Sequence, residues 1–217
     1  MRFSLEDTQK LLEIMKARRD VRGNRFIDKK VEDEKLSLIL EAALLAPSVG
    51  YSQPWKFIVI EDAQTKDAIL QNFNGENEKA KELFASRELY QKLKLEGIKE
   101  APINIAVLYE PSGEDVLGMT SMGQMGEYSV VCAVQNMWLL ARSLNIGIGW
   151  VSILDEEKVL QTLEAPKNAK LIAYLCVGYV DKFYEESELK TLGWEQEKQL
   201  TQCVTYSNPI KDNLNER

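Results

Sequence analysis

The segment Tyr128–Leu144 carries apolar residues around most of its helical circumference, and this constrains the fold more than any other stretch. A helix that is apolar all round must be buried, so the rest of the chain has to cover it. Four strand-like runs can do so: Lys56–Glu61, Ile103–Tyr109, Ile148–Ile153 and Leu171–Tyr179. Because strands and helical patterns alternate, the sequence predicts an α/β or α+β class around a four- or five-stranded sheet.

The remaining helical patterns cover Asp7–Arg19, Val31–Leu44, Ala63–Phe73, Asn77–Gly97 and Glu156–Leu163. The segment Asn77–Gly97 is so polar that we expect it to cover another part of the molecule rather than form the core. No repeat or linker divides the 217 residues, so one domain over 1–217 is predicted. From about residue 182 the chain has no clear period, and its aromatic residues suggest packing on a partner subunit; a surface extension is an equal alternative.

Composition excludes several classes of function. The 27 Lys+Arg against 34 Asp+Glu give a net charge of −7, which argues against a nucleic-acid partner. With no histidine, the chain cannot form a Ser-His-Asp or Cys-His nucleophile pair or a His-ligated zinc site. Its apolar runs are shorter than the roughly 20 residues of a membrane span, so a soluble protein without membrane contact, most simply cytoplasmic, is expected.

The three cysteines, Cys132, Cys176 and Cys203, lie far apart in the chain. Their number and spacing suit neither a disulfide framework nor a CxxC metal site. Cys132 and Cys176 stand within apolar runs, so we expect both side chains to be buried.

Three arginines stand within five residues at the end of the first predicted helix, as Arg18-Arg19-Asp20-Val21-Arg22. Guanidinium groups remain charged at any working pH and bind phosphate oxygens in a bidentate manner, so the cluster is a candidate phosphate site. A solvated helix end is the alternative, because cations also suit the negative end of the helix dipole.

A rigid loop is predicted between the second helix and the first strand, where residues 46–55 read APSVGYSQPW. Prolines restrict the backbone, and rigid loops on a scaffold are common places for binding groups. An ordinary connection with Trp55 in the core is the alternative.

A glycine-rich stretch, NIGIGWVS at residues 145–152, accompanies a late strand. It lacks the third glycine and the following helix of a dinucleotide fingerprint, so no pyrophosphate site is predicted there. Gly147 and Gly149 would let the backbone approach a flat ligand closely, with Ser152 pointing into that space or into the core.

In this order, the three motifs resemble those of the flavin-binding nitroreductase family. The resemblance covers nearly the whole chain and is tightest to the family's 5,6-dimethylbenzimidazole synthase branch, through Phe26 and the runs LKLEGI at 93–98, YSVVCAVQN at 128–136 and LCVGYVD at 175–181. It implies an α+β fold of three layers, α-β-α. That fold has a central, mostly antiparallel sheet, a buried central helix and an extended C-terminal tail.

The resemblance also implies a reaction. The synthases bind reduced FMN, let it react with O2 and fragment it to 5,6-dimethylbenzimidazole and a sugar phosphate, so FMN is a substrate and no metal is required. A homodimer with FMN at the subunit interface is implied, with reduced FMN supplied by a separate flavin reductase. The alternatives are an FMN-recycling NAD(P)H nitroreductase or dehalogenase, and a flavin-sequestering protein without turnover.

The family motifs assign a set of positions to flavin binding: Arg18, Arg19, Asp20, Val21, Arg22, Pro47, Ser48, Gly50, Leu93, Gly149, Trp150 and Ser152. Asp20 and Ser152 resemble the acidic and hydroxyl residues beside the flavin ring and are the candidate catalytic residues. Among three arginines, Asp20 should have a lowered pKa, which suits a base or an orienting acceptor. The alternatives are an ion pair that only fixes the arginines, and for Ser152 a hydroxyl bonded to backbone.

One residue and two segments bear further on the resemblance. Tyr51 replaces the asparagine common in nitroreductases, which fits the synthase branch. Residues 193–198, GWEQEK, carry glutamates where the synthases usually have basic residues, leaving Lys198 as the one cation there. Gly118–Glu127 lacks the histidine and proline expected near it, and no function is assigned to it.

Overall fold

The computed structural model describes residues 1–207. Within them the helices and strands are α1 (Leu5–Ala17), α2 (Asp33–Leu44), β1 (Trp55–Ile60), α3 (Ala63–Leu83), β2 (Ile103–Tyr109), α4 (Met125–Ser143), β3 (Ile146–Val151), α5 (Glu156–Thr162), β4 (Lys170–Tyr179), α6 (Glu188–Thr191) and α7 (Leu200–Cys203). Short 3₁₀ turns occupy Gly23–Arg25, Val49–Tyr51 and Glu88–Lys92.

The four strands form one sheet in the order β1-β2-β4-β3, with every neighbouring pair antiparallel. The apolar strands β2 and β4 take the two central places, and β2 is buried along its whole length. Strands β1 and β3 form the edges. The antiparallel sheet and the α+β class implied by the resemblance are confirmed.

Helices cover both faces of the sheet. Ile39 of α2 and Met137 of α4 are buried on one face, in a cluster with Ile105 of β2. Ile69 of α3 and Val159 of α5 are buried on the other face. Alternate strand residues therefore face different helices, which gives the three-layer arrangement.

Helix α4 is buried on one side only within the described chain. Val130, Val134 and Met137 are fully buried, whereas Val131 and Cys132 are exposed. The predicted burial of Cys132 is therefore wrong, because an apolar run does not show which side of its helix the same chain covers. The predicted burial of Cys176, on central strand β4, is confirmed.

Residues 63–97 do not form the two predicted helices. One helix, α3, runs from Ala63 to Leu83 through Gly75, and Asp62 begins it by accepting a hydrogen bond from the Thr65 N–H at 2.7 Å. Residues 93–97 lie outside any helix. They bond instead to the segment after α1, a tertiary contact that overrides local helix propensity.

The chain divides into two compact units, Met1–Phe183 and the segment from Tyr184 onward. In the second unit, the Lys190 amine pairs with Glu186 at 3.0 Å and with Glu197 at 2.8 Å. Across residues 1–207, no helix combines the length and the apolar character needed to cross a bilayer.

Candidate functional site

The arginine-rich segment lies against edge strand β3. Helix α1 ends at Ala17, and the Val21 N–H then donates to the Ile148 carbonyl at 3.0 Å. A Cβ at Gly149 would collide with the Val21 carbonyl oxygen, so this glycine is needed for the close approach. On this side, the space predicted for a flat ligand is occupied by the protein's own backbone.

Asp20 and Arg22 form an ion pair beside β3. One Asp20 oxygen also accepts a hydrogen bond from the Trp150 N–H at 2.9 Å. Arg22 Nη1 donates to the Leu95 carbonyl at 3.1 Å and the Trp150 carbonyl at 3.4 Å. The ion pair considered as an alternative role for Asp20 is therefore present, and it holds both groups at the end of β3.

The first two arginines of the cluster have different surroundings. The Arg18 guanidinium lies over the Trp138 ring, 4.8 Å from the ring centroid, and forms no ion pair with a described carboxylate. Arg19 Nη1 donates to the carbonyls of Lys16 and Arg18 at 2.6 and 2.7 Å, so it caps the end of α1. Arg18 is thus the better placed of the two to receive an anion.

A fourth guanidinium, that of Arg142, joins this end of α1. Its Nε donates to the Ala17 carbonyl at 2.9 Å, and burial together with the charge of Arg19 lowers its pKa. Sequence reasoning missed Arg142, because it stands alone at the end of α4 and no local motif marks it. It adds positive charge to the region where a phosphate is expected.

The Leu93–Ile98 segment closes another side of the site. The Gly23 N–H donates to the Glu96 carbonyl at 2.8 Å, next to the bond between Arg22 and Leu95. Leu93 is half-buried and follows a 3₁₀ turn, so its predicted position on a polar helix is wrong.

Ser152 follows the last residue of β3 and is exposed. Of the two directions predicted for it, pointing into the core is therefore wrong. Its position two residues after Trp150 places it at the same end of β3 as the ion pair of Asp20 and Arg22.

The loop at residues 47–54 contains strained backbone. Gly50, Tyr51 and Gln53 all have positive φ, at 57°, 56° and 47°, which is unfavourable for the two non-glycine residues. Ser48 Oγ accepts a hydrogen bond from the Gln53 N–H at 3.1 Å. A Cβ at Gly50 would lie 2.7 Å from the Leu117 carbonyl oxygen, so the loop is also packed tightly from outside.

This loop and the arginine cluster lie at opposite edges of the sheet. The loop leads into β1 and the cluster lies along β3, three strand spacings or about 14 Å apart. The chain thus brings Arg18–Arg22, Gly149, Trp150 and Leu95 together, but places Pro47, Ser48 and Gly50 elsewhere.

The described residues contain no group of three or more cysteine, aspartate or glutamate side chains positioned to hold a metal ion. The groups at the candidate site are guanidinium groups, one carboxylate, one hydroxyl and backbone amides.

Comparisons with known proteins place the chain in a family. The sequence model of the nitroreductase family matches residues 15–179. The 5,6-dimethylbenzimidazole synthase of Rhodospirillum rubrum is 37% identical over 185 residues, which cover 83% of this chain and 87% of that protein. The enzyme of the same name from Rhodobacter capsulatus is 35% identical over 203 residues, 90% of this chain and 96% of the other.

A solved structure shares the fold. Iodotyrosine deiodinase bound to FMN and 3-iodo-L-tyrosine matches with a TM-score of 0.68 and 24% identity, over 91% of this chain and 98% of the other. The family match spans all four strands and the motifs at 18–22, 46–55 and 145–152. The chain therefore belongs to the nitroreductase family of oxidoreductase enzymes, as the motifs predicted.

Proposed function

We propose that the protein fragments reduced FMN with molecular oxygen to 5,6-dimethylbenzimidazole and a sugar phosphate. The observation that carries the proposal is the identity of 35–37%, across most of both chains, to proteins named 5,6-dimethylbenzimidazole synthase. In this reaction FMN is a substrate rather than a recycled cofactor, and a separate flavin reductase supplies it in reduced form.

The residues present fit an anionic flavin. The Arg18 guanidinium lies over the Trp138 indole ring and forms no ion pair with a carboxylate of the described residues. In the loop at 47–54, the buried Ser52 Oγ has no hydrogen-bond partner among residues 1–207, and a buried polar atom of this kind needs one. A cation at one edge and an unsatisfied hydroxyl at the other suit a ligand that carries a phosphate and a polar ring.

We also propose that two copies complete the site. The loop and the arginine cluster lie at opposite edges of the sheet, about 14 Å apart, which is too far for both to bind one flavin ring within a single chain. A groove of about 280 Å³ between α1, α2 and α4 has Leu11 and Leu45 in its lining, and Val131 and Tyr128 of α4 are exposed nearby along the same helix. A homodimer formed through this apolar face would cover it and bring one copy's loop to the other's arginines.

Reduced FMN, when bound, supplies the centre that reacts with oxygen. Arg18 would bind the phosphate, with Arg19 and Arg142 adding positive charge behind it. Arg22, fixed by Asp20 and two carbonyls, would stabilise negative charge on the ring. Half-buried Leu93 would exclude water from that face.

Asp20 and Ser152 would handle protons at the end of β3. The Asp20 oxygen that faces Arg22 is the proposed proton acceptor, and the other oxygen is held by the Trp150 N–H. The exposed Ser152 hydroxyl is free to rotate, so it can donate a hydrogen bond to the ligand and accept one from it.

The direct test mixes the purified protein with chemically reduced FMN, admits air and measures 5,6-dimethylbenzimidazole by mass spectrometry. Formation of that product supports the proposal. Clean reoxidation of FMN without fragments would refute it, and steady NADH consumption with a nitroaromatic acceptor would then identify an FMN-recycling enzyme.

Two substitutions test the assigned roles. Asp20→Asn and Ser152→Gly should each abolish product while flavin binding stays measurable, because each removes a proton-handling group and leaves Arg18 in place. The matched controls are Asp28→Asn and Ser112→Gly, both at exposed positions, and each should retain product formation. Full product formation in Asp20→Asn or Ser152→Gly would remove that residue from the mechanism.

A further inference from the structure

A buried carboxylate, that of Glu96, lies beside the candidate site in the Leu93–Ile98 segment. Glu96 is only 5% exposed and pairs with Lys94, whose amine also pairs with Glu100 at 2.9 Å. Burial acts to lower the pKa of Lys94, but the hydrogen bonds and charges of the two glutamates outweigh it and raise the pKa overall. Burying a carboxylate is costly, and the proposed function gives that of Glu96 no role.

The Glu96 side chain fixes a turn in its own segment. Its Oε2 accepts a hydrogen bond from the Ile98 N–H at 2.8 Å. Gly97, inside the turn, has no room for a side chain, since a Cβ there would lie 2.7 Å from Phe26 Cε2 and 3.0 Å from the Gly23 nitrogen. The turn therefore has one conformation that fits against the segment after α1.

The backbone of the same turn holds Arg22 and Gly23. The Leu95 carbonyl accepts from Arg22 Nη1 at 3.1 Å, and the Glu96 carbonyl accepts from the Gly23 N–H at 2.8 Å. The Arg22 guanidinium also contacts Asp20, in the segment after α1, and the Trp150 carbonyl of β3. The Leu95 carbonyl thus provides the contact between Arg22 and the 93–98 segment.

We propose that Glu96 is a positioning residue for Arg22, a role that rests on the proposed function through the placement of Arg22 at the flavin. Its carboxylate keeps the turn in the conformation that directs the Leu95 carbonyl at the guanidinium. Without that carboxylate, the Ile98 N–H and the Lys94 amine lose a buried acceptor, and the turn relaxes. Arg22 then loses one of its supports and moves relative to Asp20.

The test is a double-mutant cycle read out by the dissociation constant for oxidised FMN, measured by flavin fluorescence quenching. Glu96→Ala should weaken FMN binding about tenfold in the wild-type background, the effect of a lost hydrogen bond to a charged group. In an Arg22→Ala background the same change should weaken binding less than about twofold, because the two residues act through one contact. Equal losses in both backgrounds, or no loss in the first, would overturn the proposal.

Two further variants separate positioning from general stability. Glu96→Gln keeps an oxygen that can accept from the Ile98 N–H, so it should weaken FMN binding only about threefold. If Glu96→Ala does not fold, Glu96→Gln replaces it in the double-mutant cycle with Arg22→Ala. Glu100→Gln is the matched control, because Glu100 also pairs with Lys94, whereas the Ile98 N–H donates to Glu96. FMN binding in Glu100→Gln should stay within about twofold of wild type. A loss in Glu100→Gln as large as that in Glu96→Ala would overturn the proposal.

Binding of oxidised FMN does not depend on fragmentation. A wild-type protein that binds FMN without forming 5,6-dimethylbenzimidazole would refute the proposed reaction alone. A wild-type protein that binds no FMN would overturn both proposals.

Discussion

Replacing Gly149 by alanine tests how the arginine segment is joined to the sheet. The added Cβ would overlap the Val21 carbonyl oxygen, and both clashing groups belong to backbone that cannot rotate away. The segment must therefore move off β3. Two hydrogen bonds depend on that contact, from the Val21 N–H to Ile148 at 3.0 Å and from the Trp150 N–H to Asp20 at 2.9 Å.

The expected loss of stability follows from those two bonds. The neutral bond contributes about 0.5–1.5 kcal/mol and the one to the carboxylate about 1.5–3 kcal/mol, so their sum is roughly 2–4.5 kcal/mol. Alanine has less backbone freedom than glycine in the unfolded chain, and this offsets about 0.4–1 kcal/mol of the lost stability. A net loss of about 2.5 kcal/mol lowers the melting temperature of a chain this long by roughly 5–10 °C.

Urea unfolding and thermal melting of purified Gly149→Ala measure this loss. Gly147→Ala should lose less, because its Cβ would meet side-chain atoms that can shift, Val180 Cγ1 at 2.7 Å and Val21 Cγ2 at 2.9 Å. Gly75→Ala, in α3 with no atom within 4 Å, should gain about 0.5–1 kcal/mol. A Gly149→Ala protein within about 0.5 kcal/mol of wild type would refute the close approach of the segment.

Three further outcomes are expected. The hydrogen bond from the Tyr179 hydroxyl is the main cause that lowers the pKa of Glu32 from 4.5 to about 2, so Glu32 contributes stability above its unfolded pKa that is lost as pH falls toward 2. Tyr179→Phe should remove most of this pH dependence, because the backbone and Lys35 also lower the pKa of Glu32. An equal fall in the free energy of urea unfolding between roughly pH 5 and pH 2 in both proteins would contradict it. Arg18→Met should reduce the preference for FMN over riboflavin about tenfold in fluorescence titrations, whereas equal losses for both ligands would argue against a phosphate contact. Ile105→Ala, at a fully buried position, should cost about 2–5 kcal/mol in urea unfolding and exposed Leu83→Ala less than about 0.5 kcal/mol; similar values would contradict the assigned core.

Local patterns predicted most of the scaffold. The apolar run Ile103–Tyr109 is strand β2 with the predicted bounds, and β4 begins one residue earlier than predicted. Such runs are informative because a strand buried on both faces must be apolar throughout. The extent of α3 was missed, since the polar residues around Gly75 give no signal that distinguishes one long helix from two.

The candidate site was predicted in part, through motifs whose residues are neighbours in sequence. Arg22 and Asp20 were named together because they are two residues apart, and the structure pairs them. Arg142 and Glu96 were missed as contributors, because their contacts join residues distant in the chain.

The sequence by itself determined the strands, the apolar central helix, the cluster of cations and the family. These depend on periodicity, charge and short motifs, all of which are local. Only the tertiary structure decided that Gly149 admits the Val21 carbonyl, that the 93–98 turn holds Arg22, and that the loop at 47–54 lies at the opposite edge of the sheet. These depend on which distant segments meet, and that is set by strand order and packing rather than by any residue's own neighbours.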